Sequence, residues 1–309
     1  MKVINKGNDI IIKELNDFDL SQTMECGQCF HFVKVGDNEY GIVAYGKFLH
    51  AKQTENEFIL YDTSEDEFEK VWRVYFDLDR DYGNIKNTLL KKDEKLKEAV
   101  ETMSGVRILN QEFFETLISF IISQNKQIPH IKQIVASISK QYGTMLGKIG
   151  DEEFYSFPDV VRMMEVSEDA LRECKTGFRA PYIRNAVELV NAGALAENIL
   201  RAEEADMCRQ QLMTIKGVGA KVANCTMLFG LGRREAFPVD VWIKRIMEHL
   251  YFEGKDTPKE QIEAFAAEQY GEYGGYAQQY LFYYGKSVQI GVASKKGKKK
   301  AKAVQCVTE

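Results

Sequence analysis

Between two stretches with helical apolar spacing, the chain reads Lys216-Gly217-Val218-Gly219-Ala220-Lys221. Two glycines flanking one aliphatic residue are too tight for a regular loop. They suit a hairpin that tucks Val218 inward and bares its backbone N–H groups. Such N–H groups, at the N-terminus of a helix starting near residue 220, form an anion site able to hold a phosphate. An ordinary helix–helix turn with a glycine C-cap accounts for Gly217 and Gly219 equally well, so the residues that follow must decide. Lys221 falls in the first turn of the second helix, where the positive end of the helix dipole disfavours a cation. The same field lowers an amine's pKa, as a nucleophilic lysine requires. Cys225 is four residues on and shares the Lys221 face. A small polarizable thiol there leaves room for a flat ring, although a buried core cysteine reads the same way. In Phe237-Pro238-Val239-Asp240-Val241-Trp242, Pro238 biases Phe237 to extended geometry. Asp240 then fits as N-cap of a helix through Ile243, Ile246 and Leu250. A functional role would add a carboxylate beside a developing positive charge.

The rest of the chain supplies two kinds of pattern. Residues 1 to about 63 read as strands: Ile10-Ile11-Ile12, Phe30 to Val35, Tyr40 to Tyr45 and Phe58 to Tyr61 are rich in β-branched and aromatic residues. Gly36-Asp37-Asn38 supplies a hairpin turn. Ser64-Glu65-Asp66-Glu67 is a capping box opening a helix through Val71, Trp72 and Tyr75. From about residue 85 the pattern turns helical and is expected to stay so. One helix through Phe113, Phe114, Leu117, Ile118 and Ile121 should end near Gln124-Asn125-Lys126-Gln127. Pro129 suits the first turn of the next, through Ile131, Ile134 and Ile138. Further helices are expected at roughly 159–164, 167–174, 181–191, 204–214, 220–230, 241–251, 258–268 and 276–286. The fold class is therefore α+β: an antiparallel sheet with covering helices over 1–108, then an all-α domain over 109–290. Residues 291–309 read as a basic, disordered tail.

Composition narrows the function classes. At 309 residues, 45% hydrophobic and 28% charged, the chain suits a soluble globular protein. No apolar run reaches the ~18–20 residues of a membrane span. The opening MKVINKGNDI lacks the apolar stretch of a secretory signal. An intracellular protein without membrane partners is expected, and a monomer. The six cysteines (26, 29, 174, 208, 225 and 306) form no dense framework, so reduced thiols are expected. Cys26-x-x-Cys29 has no second ligand pair to complete a zinc site. The net charge of −5 argues weakly against nucleic acid, but Lys295, Lys296, Lys298, Lys299, Lys300 and Lys302 cluster in the tail. The remainder is near −10, so any nucleic acid must be held by local contacts rather than a global basic field.

The hairpin, Lys221, Cys225 and the Pro238-Val239-Asp240 run together resemble the helix-hairpin-helix DNA glycosylase superfamily. Within it the chain is similar to the eukaryotic-type 8-oxoguanine DNA glycosylase family, from about residue 20 to 290. The resemblance implies a bifunctional glycosylase/AP lyase in which Lys221 attacks the sugar and Asp240 stabilises its positive charge. Cys26-Gly27-Gln28-Cys29-Phe30 resembles the segment whose glycine carbonyl accepts the N7 hydrogen that oxidised guanine has and guanine lacks. Ala277-Gln278-Gln279-Tyr280-Leu281-Phe282 places Gln278 and Phe282 on one helix face. There the resemblance makes Gln278 a reader of the base's pairing edge, and Phe282 the ring that stacks the flipped base opposite Cys225. It further implies that Asn125 fills the gap left by that base, that Phe178 is a wedge, and that Arg179 faces the orphaned cytosine. Gly217, Val218 and Gly219 would hold a phosphate.

His130, Phe178 and Trp242 stand where the animal enzymes have arginine, tyrosine and histidine, which implies a relaxed preference for cytosine opposite the lesion. Related branches hold an iron–sulfur cluster with four cysteines after the hairpin. Here only Cys306 follows Cys225, so neither cofactor nor metal is expected. The partner implied is double-stranded DNA containing oxidised guanine. Two alternatives remain at this point: a glycosylase for another damaged base, and a helix-hairpin-helix module that binds DNA without catalysis.

Overall fold

The computed structural model describes residues 1–288. The lysine run and the expected tail at 291–309 lie outside the described residues. Six strands form one antiparallel sheet in the order β1-β2-β6-β5-β4-β3. They are β1 (Lys2–Lys6), β2 (Asp9–Lys13), β3 (Phe32–Gly36), β4 (Glu39–Ala44), β5 (Lys47–Gln53) and β6 (Glu57–Tyr61). The two-residue period of a strand puts Ile10 and Ile12, Phe58 and Leu60, Leu49 and Ala51, and Tyr40 and Ile42 on one buried face. Phe68, Trp72 and Phe76, from the helical segment that starts at Ser64, cover that face. The Ser64 hydroxyl caps as expected, accepting from Glu67 N–H at 3.2 Å. The Glu67 carboxylate does not close the reciprocal half of the box. It accepts from Trp72 Nε1 at 2.9 Å and fixes the ring that fills the core.

The α+β class holds, with three corrections to the strands. β1 and β5 carry no clean apolar alternation and were not expected; β5 is drawn in by its partners β4 and β6. The strand expected to reach Tyr45 stops at Ala44. Tyr45 and Gly46, both at positive φ (53° and 63°), make the two-residue turn into β5. The region beyond residue 85 is not helical throughout. β7 (Met145–Ile149) and β8 (Glu152–Tyr155) form a hairpin. It is held by tertiary contact, with Phe154 stacked on Phe48 of β5 at 4.5 Å. Gly41 and Gly147 permit this approach, because a Cβ on either would stand 2.1 Å from Phe154 or 2.6 Å from Phe48.

The helices expected around the motifs are present, with ends shifted by a few residues. They include Phe113–Ile122, Ile128–Tyr142 with a proline in its first turn, Ala180–Asn191, Ala205–Leu212, Ala220–Gly230, Val241–Tyr251, Lys259–Tyr270 and Gly274–Val288. Their apolar faces make a second core, which also takes in Tyr82, Ile85 and Leu89 of a helix Tyr82–Lys92, and Cys26 and Phe30 from the sheet side.

Arg107 lies where the two cores meet and is almost fully buried. Its guanidinium stacks on Tyr82 at 4.5 Å and donates to the carbonyls of Asn16, Asp17, Asp77 and Arg80. Gln28 does the same job beside it. Its buried amide donates to Thr23 O and Arg107 O, both at 2.8 Å, and accepts from Leu109 N–H at 2.9 Å. Each polar atom of that side chain has a partner, so the backbone at Gly27 is fixed from its neighbour. Among the described residues no helix is long and apolar enough to cross a membrane.

Candidate active site

The hairpin that joins Ala205–Leu212 to Ala220–Gly230 has the form its glycines require. Val218 is buried beneath it, while Gly217 and Gly219 are exposed. Gly217 is needed twice: its φ is +75°, and a Cβ would stand 2.4 Å from the Tyr182 ring. Lys216 N–H is held by Asn185 Oδ1 at 2.8 Å, which pins the hairpin to the helix Ala180–Asn191. Gly219 is the N-cap and has no side chain to close the helix start. The first-turn N–H groups therefore face outward without an intrahelical acceptor, the arrangement that binds a phosphate.

Lys221 is the second residue of that helix and is half-buried. Its Nζ donates to Ser123 Oγ at 3.2 Å and lies 5.0 Å from the centre of the Phe120 ring. The Ser123 hydroxyl in turn donates to Phe120 O at 2.7 Å, so its lone pairs face the amine. No ion pair engages Lys221 among the described residues. Cys225 is buried in contact with Lys221, and burial, with a smaller push from the Asp240 charge, raises its thiol to about 11. At neutral pH it is a neutral polarizable surface rather than a competing thiolate. Asp240 caps the helix Val241–Tyr251 through Ile243 N–H at 2.8 Å. One carboxylate oxygen is thus committed to the cap, which holds the group where its charge acts on Cys225.

On the other side of the site, Gly27 has φ +85°, and a Cβ there would lie 3.2 Å from Ile128 and 3.4 Å from the Phe282 ring. Gly27 and Phe282, more than 250 residues apart in sequence, are neighbours in space. Gln278, one turn before Phe282, is buried and donates to Pro238 O at 3.3 Å, two residues before Asp240. Its oxygen accepts from Gln279 Nε2 at 2.7 Å. That carbonyl contact dictates which end of the amide is nitrogen.

The residues expected at the DNA surface divide into two groups. Asn125 is exposed in the loop after Phe113–Ile122, at a left-handed φ of 52° that asparagine tolerates. His130 is exposed in the first turn of the next helix. Phe178 is 54% exposed, large for an aromatic ring, and is braced edge-on by Tyr182 at 6.1 Å. These three face outward. Arg179 does not: it is buried, its guanidinium 4.2 Å from the Phe178 ring centre. Its Nε donates to Gln124 O at 2.9 Å, its Nη2 to the same oxygen and its Nη1 to Thr176 O. Trp242 is half-buried under the Arg245 guanidinium at 5.6 Å.

Ser123, Phe120, Gln124, Tyr182 and Gln28 escaped the sequence reading. All act through tertiary contacts that no local pattern announces. Cys26 and Cys29 are buried thiols in the core outside any disulfide, Cys26 donating to Thr23 O at 3.2 Å. Among the described residues no cluster of three His, Cys, Asp or Glu is placed to hold a metal.

A hairpin that offers backbone N–H groups to a phosphate, with a lysine, a neutral thiol and a capped aspartate behind it, defines a helix-hairpin-helix DNA glycosylase. Comparison with known proteins gives the family. Residues 10–117 match the model of the 8-oxoguanine DNA glycosylase N-terminal domain, and residues 118–271 that of the HhH-GPD superfamily base excision DNA repair proteins. The N-glycosylase/DNA lyase OGG1 of Arabidopsis thaliana is 31% identical over 86% of this chain and 77% of its own length. Among solved structures, the 8-oxoguanine glycosylase/lyase of Clostridium acetobutylicum, in complex with duplex DNA containing cytosine opposite 8-oxoguanine, superposes with a TM-score of 0.89. It is 37% identical over 94% of this chain and 99% of that one. A DNA complex of MBOgg1 superposes equally well, at 40% identity over 93% and 99%. The chain belongs to the 8-oxoguanine DNA glycosylase family.

Proposed function

We propose that this protein is a bifunctional DNA glycosylase/AP lyase that excises 8-oxoguanine from duplex DNA and nicks the strand by β-elimination. The observation that carries the reading is the placement of Lys221 at the open N-terminus of the hairpin helix, in contact with Cys225, whose thiol also feels the charge of the capped Asp240.

The chemistry follows from that arrangement. The duplex docks by a phosphate on the N–H groups of the Gly217-Val218-Gly219 hairpin, and the oxidised base leaves the stack. Phe178 and Asn125 occupy the distorted duplex, with His130 and Trp242 on the flanking backbone. The base enters between Phe282 and Cys225, its N7–H donated to the Gly27 carbonyl. Gln278 reads its pairing edge. Lys221, as the free amine, forms a bond to C1′ while the bond to the base breaks and the base departs with the electron pair. The fixed Asp240 carboxylate stabilises the positive charge that develops on the sugar. Opening of the sugar ring gives a Schiff base between Lys221 and C1′. Loss of the C2′ proton then expels the 3′ phosphate, and water releases the lysine. No metal or cofactor enters these steps. The protein acts inside the cell as a monomer.

A panel of duplexes tests the substrate. With 8-oxoguanine, 3-methyladenine and oxidised pyrimidines each placed opposite cytosine, base release and strand nicking should be fastest for 8-oxoguanine. Faster release of an alkylated base or pyrimidine overturns the assignment of the base, and nicking at background on every duplex overturns catalysis.

A further inference from the structure

Every arginine among the described residues but one donates to a carbonyl or carboxylate of the protein. Arg245 is the exception. It has neither a hydrogen bond nor an ion pair among the described residues, and its guanidinium rests 5.6 Å from the centre of the Trp242 ring. In a chain with 46 acidic against 41 basic side chains, an arginine that meets no carboxylate calls for a reason.

The helix Val241–Tyr251 supplies the setting. At 3.6 residues per turn, Val241, Trp242, Arg245 and His249 fall within about 100° of its circumference, opposite the buried Ile243, Ile246 and Met247. Val241 is 58% exposed, and Arg245 and His249 are exposed beside it. The nearby carboxylates are engaged elsewhere. Asp240 accepts from Ile243 N–H at 2.8 Å. Glu248 accepts from Thr257 N–H at 2.9 Å and pairs with Lys244 at 3.4 Å, and Asp256 pairs with the same lysine at 2.5 Å. The outer face is left with an unpaired cation on an aromatic ring.

We propose that Arg245 is a DNA-binding residue that grips a backbone phosphate of the lesion strand, and that Trp242 is the positioning residue that holds its guanidinium ready. The inference rests on the glycosylase reading above, which turns the N-terminus of this helix toward the duplex. It also refines the place of Trp242, which bears on the backbone through Arg245. A guanidinium is a planar fork of N–H donors that matches two phosphate oxygens at once. A ring within about 6 Å attracts and orders the cation. Unlike a carboxylate, it does not compete with the phosphate as an anion. The hairpin at Gly217-Val218-Gly219 offers neutral backbone N–H groups, whereas Arg245 brings formal charge to a body that is acidic overall. The position on the DNA follows from the helix. Asp240 acts at C1′ of the lesion nucleotide, and Arg245 follows it by five residues. That is about 7.5 Å along the axis, or roughly two nucleotides of one strand.

The test uses the full chain and a duplex carrying a tetrahydrofuran abasic site, which the lysine cannot open, with affinity read by fluorescence anisotropy. Single phosphates on both strands are replaced in turn by neutral methylphosphonates. For the wild type, one replacement on the lesion strand, within about two nucleotides of the abasic site, should weaken binding by roughly threefold or more. In Arg245→Gln that loss should vanish while losses at other positions remain. The slope of log affinity against log salt should also shrink by about 0.9. Trp242→Leu should bind nearly as weakly as Arg245→Gln, Trp242→Tyr should recover most of the affinity because it keeps a ring, and the double variant with leucine should bind no worse than Arg245→Gln alone. The same phosphate profile in Arg245→Gln as in the wild type overturns the inference, as does a sensitive phosphate found only on the opposite strand. Additive losses in the double variant overturn the positioning role of Trp242. Each of these leaves the glycosylase reading standing. A wild type that binds the abasic duplex no more tightly than an undamaged one overturns that reading and this inference together.

Discussion

Replacing Gly27 by alanine should separate the two activities of the enzyme. The perturbation has two parts. Gly27 holds φ +85°, and an L-residue in that region is destabilised by about 1–2 kcal/mol. The added Cβ lies 3.2 Å from the Ile128 Cδ1, the flexible end of a side chain that yields by a few tenths of an ångström, so little more is lost there. The fold should therefore survive, with the melting temperature down by about 2–3 °C for a chain of this size. The site should suffer more. The same methyl stands 3.4 Å from the Phe282 ring, at the edge where the base must slide in, and backbone relaxation displaces the Gly27 carbonyl. Loss of one hydrogen bond to a buried polar group is worth roughly 1–3 kcal/mol, or about five- to 150-fold in rate. Single-turnover excision of 8-oxoguanine should fall at least that far. A duplex with a preformed abasic site has no base to accommodate, so Lys221 should nick it at a rate within about twofold of wild type, since the loss is confined to the base pocket. Equal losses on both duplexes, or no loss on either, refute Gly27 as the recognition carbonyl.

Other perturbations follow from the same contacts. Gln28→Ala strips the partners from Arg107 O and Leu109 N–H and leaves Thr23 O with only the Cys26 thiol, and chemical denaturation should show a loss of roughly 3 kcal/mol. A loss below about 1 kcal/mol would mean that water replaces the amide freely. Gly217→Ala drives a Cβ into the Tyr182 ring at positive φ; it should lower affinity for undamaged duplex as well as lesion duplex, measured by fluorescence anisotropy. Glu112 is raised from 4.5 to about 7, mainly by burial and then by the Glu115 charge. Its folded form binds a proton that the unfolded chain releases, so its contribution is full below about 4.5 and is lost as pH rises through 7. Allowing for partial exposure, that amounts to roughly 2 kcal/mol. Glu112→Gln should flatten the decline in stability between pH 5 and 8, and an unchanged pH slope contradicts the assignment.

Much of the fold and of the site can be read along the chain. The apolar runs of β2 and β6, the proline opening Ile128–Tyr142 and the Asp240 cap are local signals, and each appears where it was expected. Lys221 and Cys225 lie on one helix face because of simple helical spacing. The hairpin β7–β8 lacks that kind of signal. Its residues are mostly charged or small, and only Phe154 is fully buried, against a sheet that precedes it by a hundred residues. Its two-residue Gly150-Asp151 turn, with Gly150 at φ +58°, was the one available cue. The partner of Lys221 is equally invisible, since Ser123 is 98 residues away. Arg179 shows a subtler limit. Sequence resemblance marks it as a reader of the opposite base, while the fold engages its donors with Gln124 O, 55 residues upstream, and Thr176 O. A motif names a residue's capacity; what it touches in the fold depends on packing.

The lysine chemistry is tested most directly by locating the covalent bond. The wild-type protein and Lys221→Gln are each incubated with a duplex containing 8-oxoguanine opposite cytosine in the presence of borohydride, and the trapped complex is digested and mapped by mass spectrometry. The wild type should yield one protein–DNA adduct, carried on the peptide that contains Lys221, and the variant should yield none while still binding the duplex. An adduct on any other residue, or undiminished trapping in Lys221→Gln, contradicts Lys221 as the nucleophile.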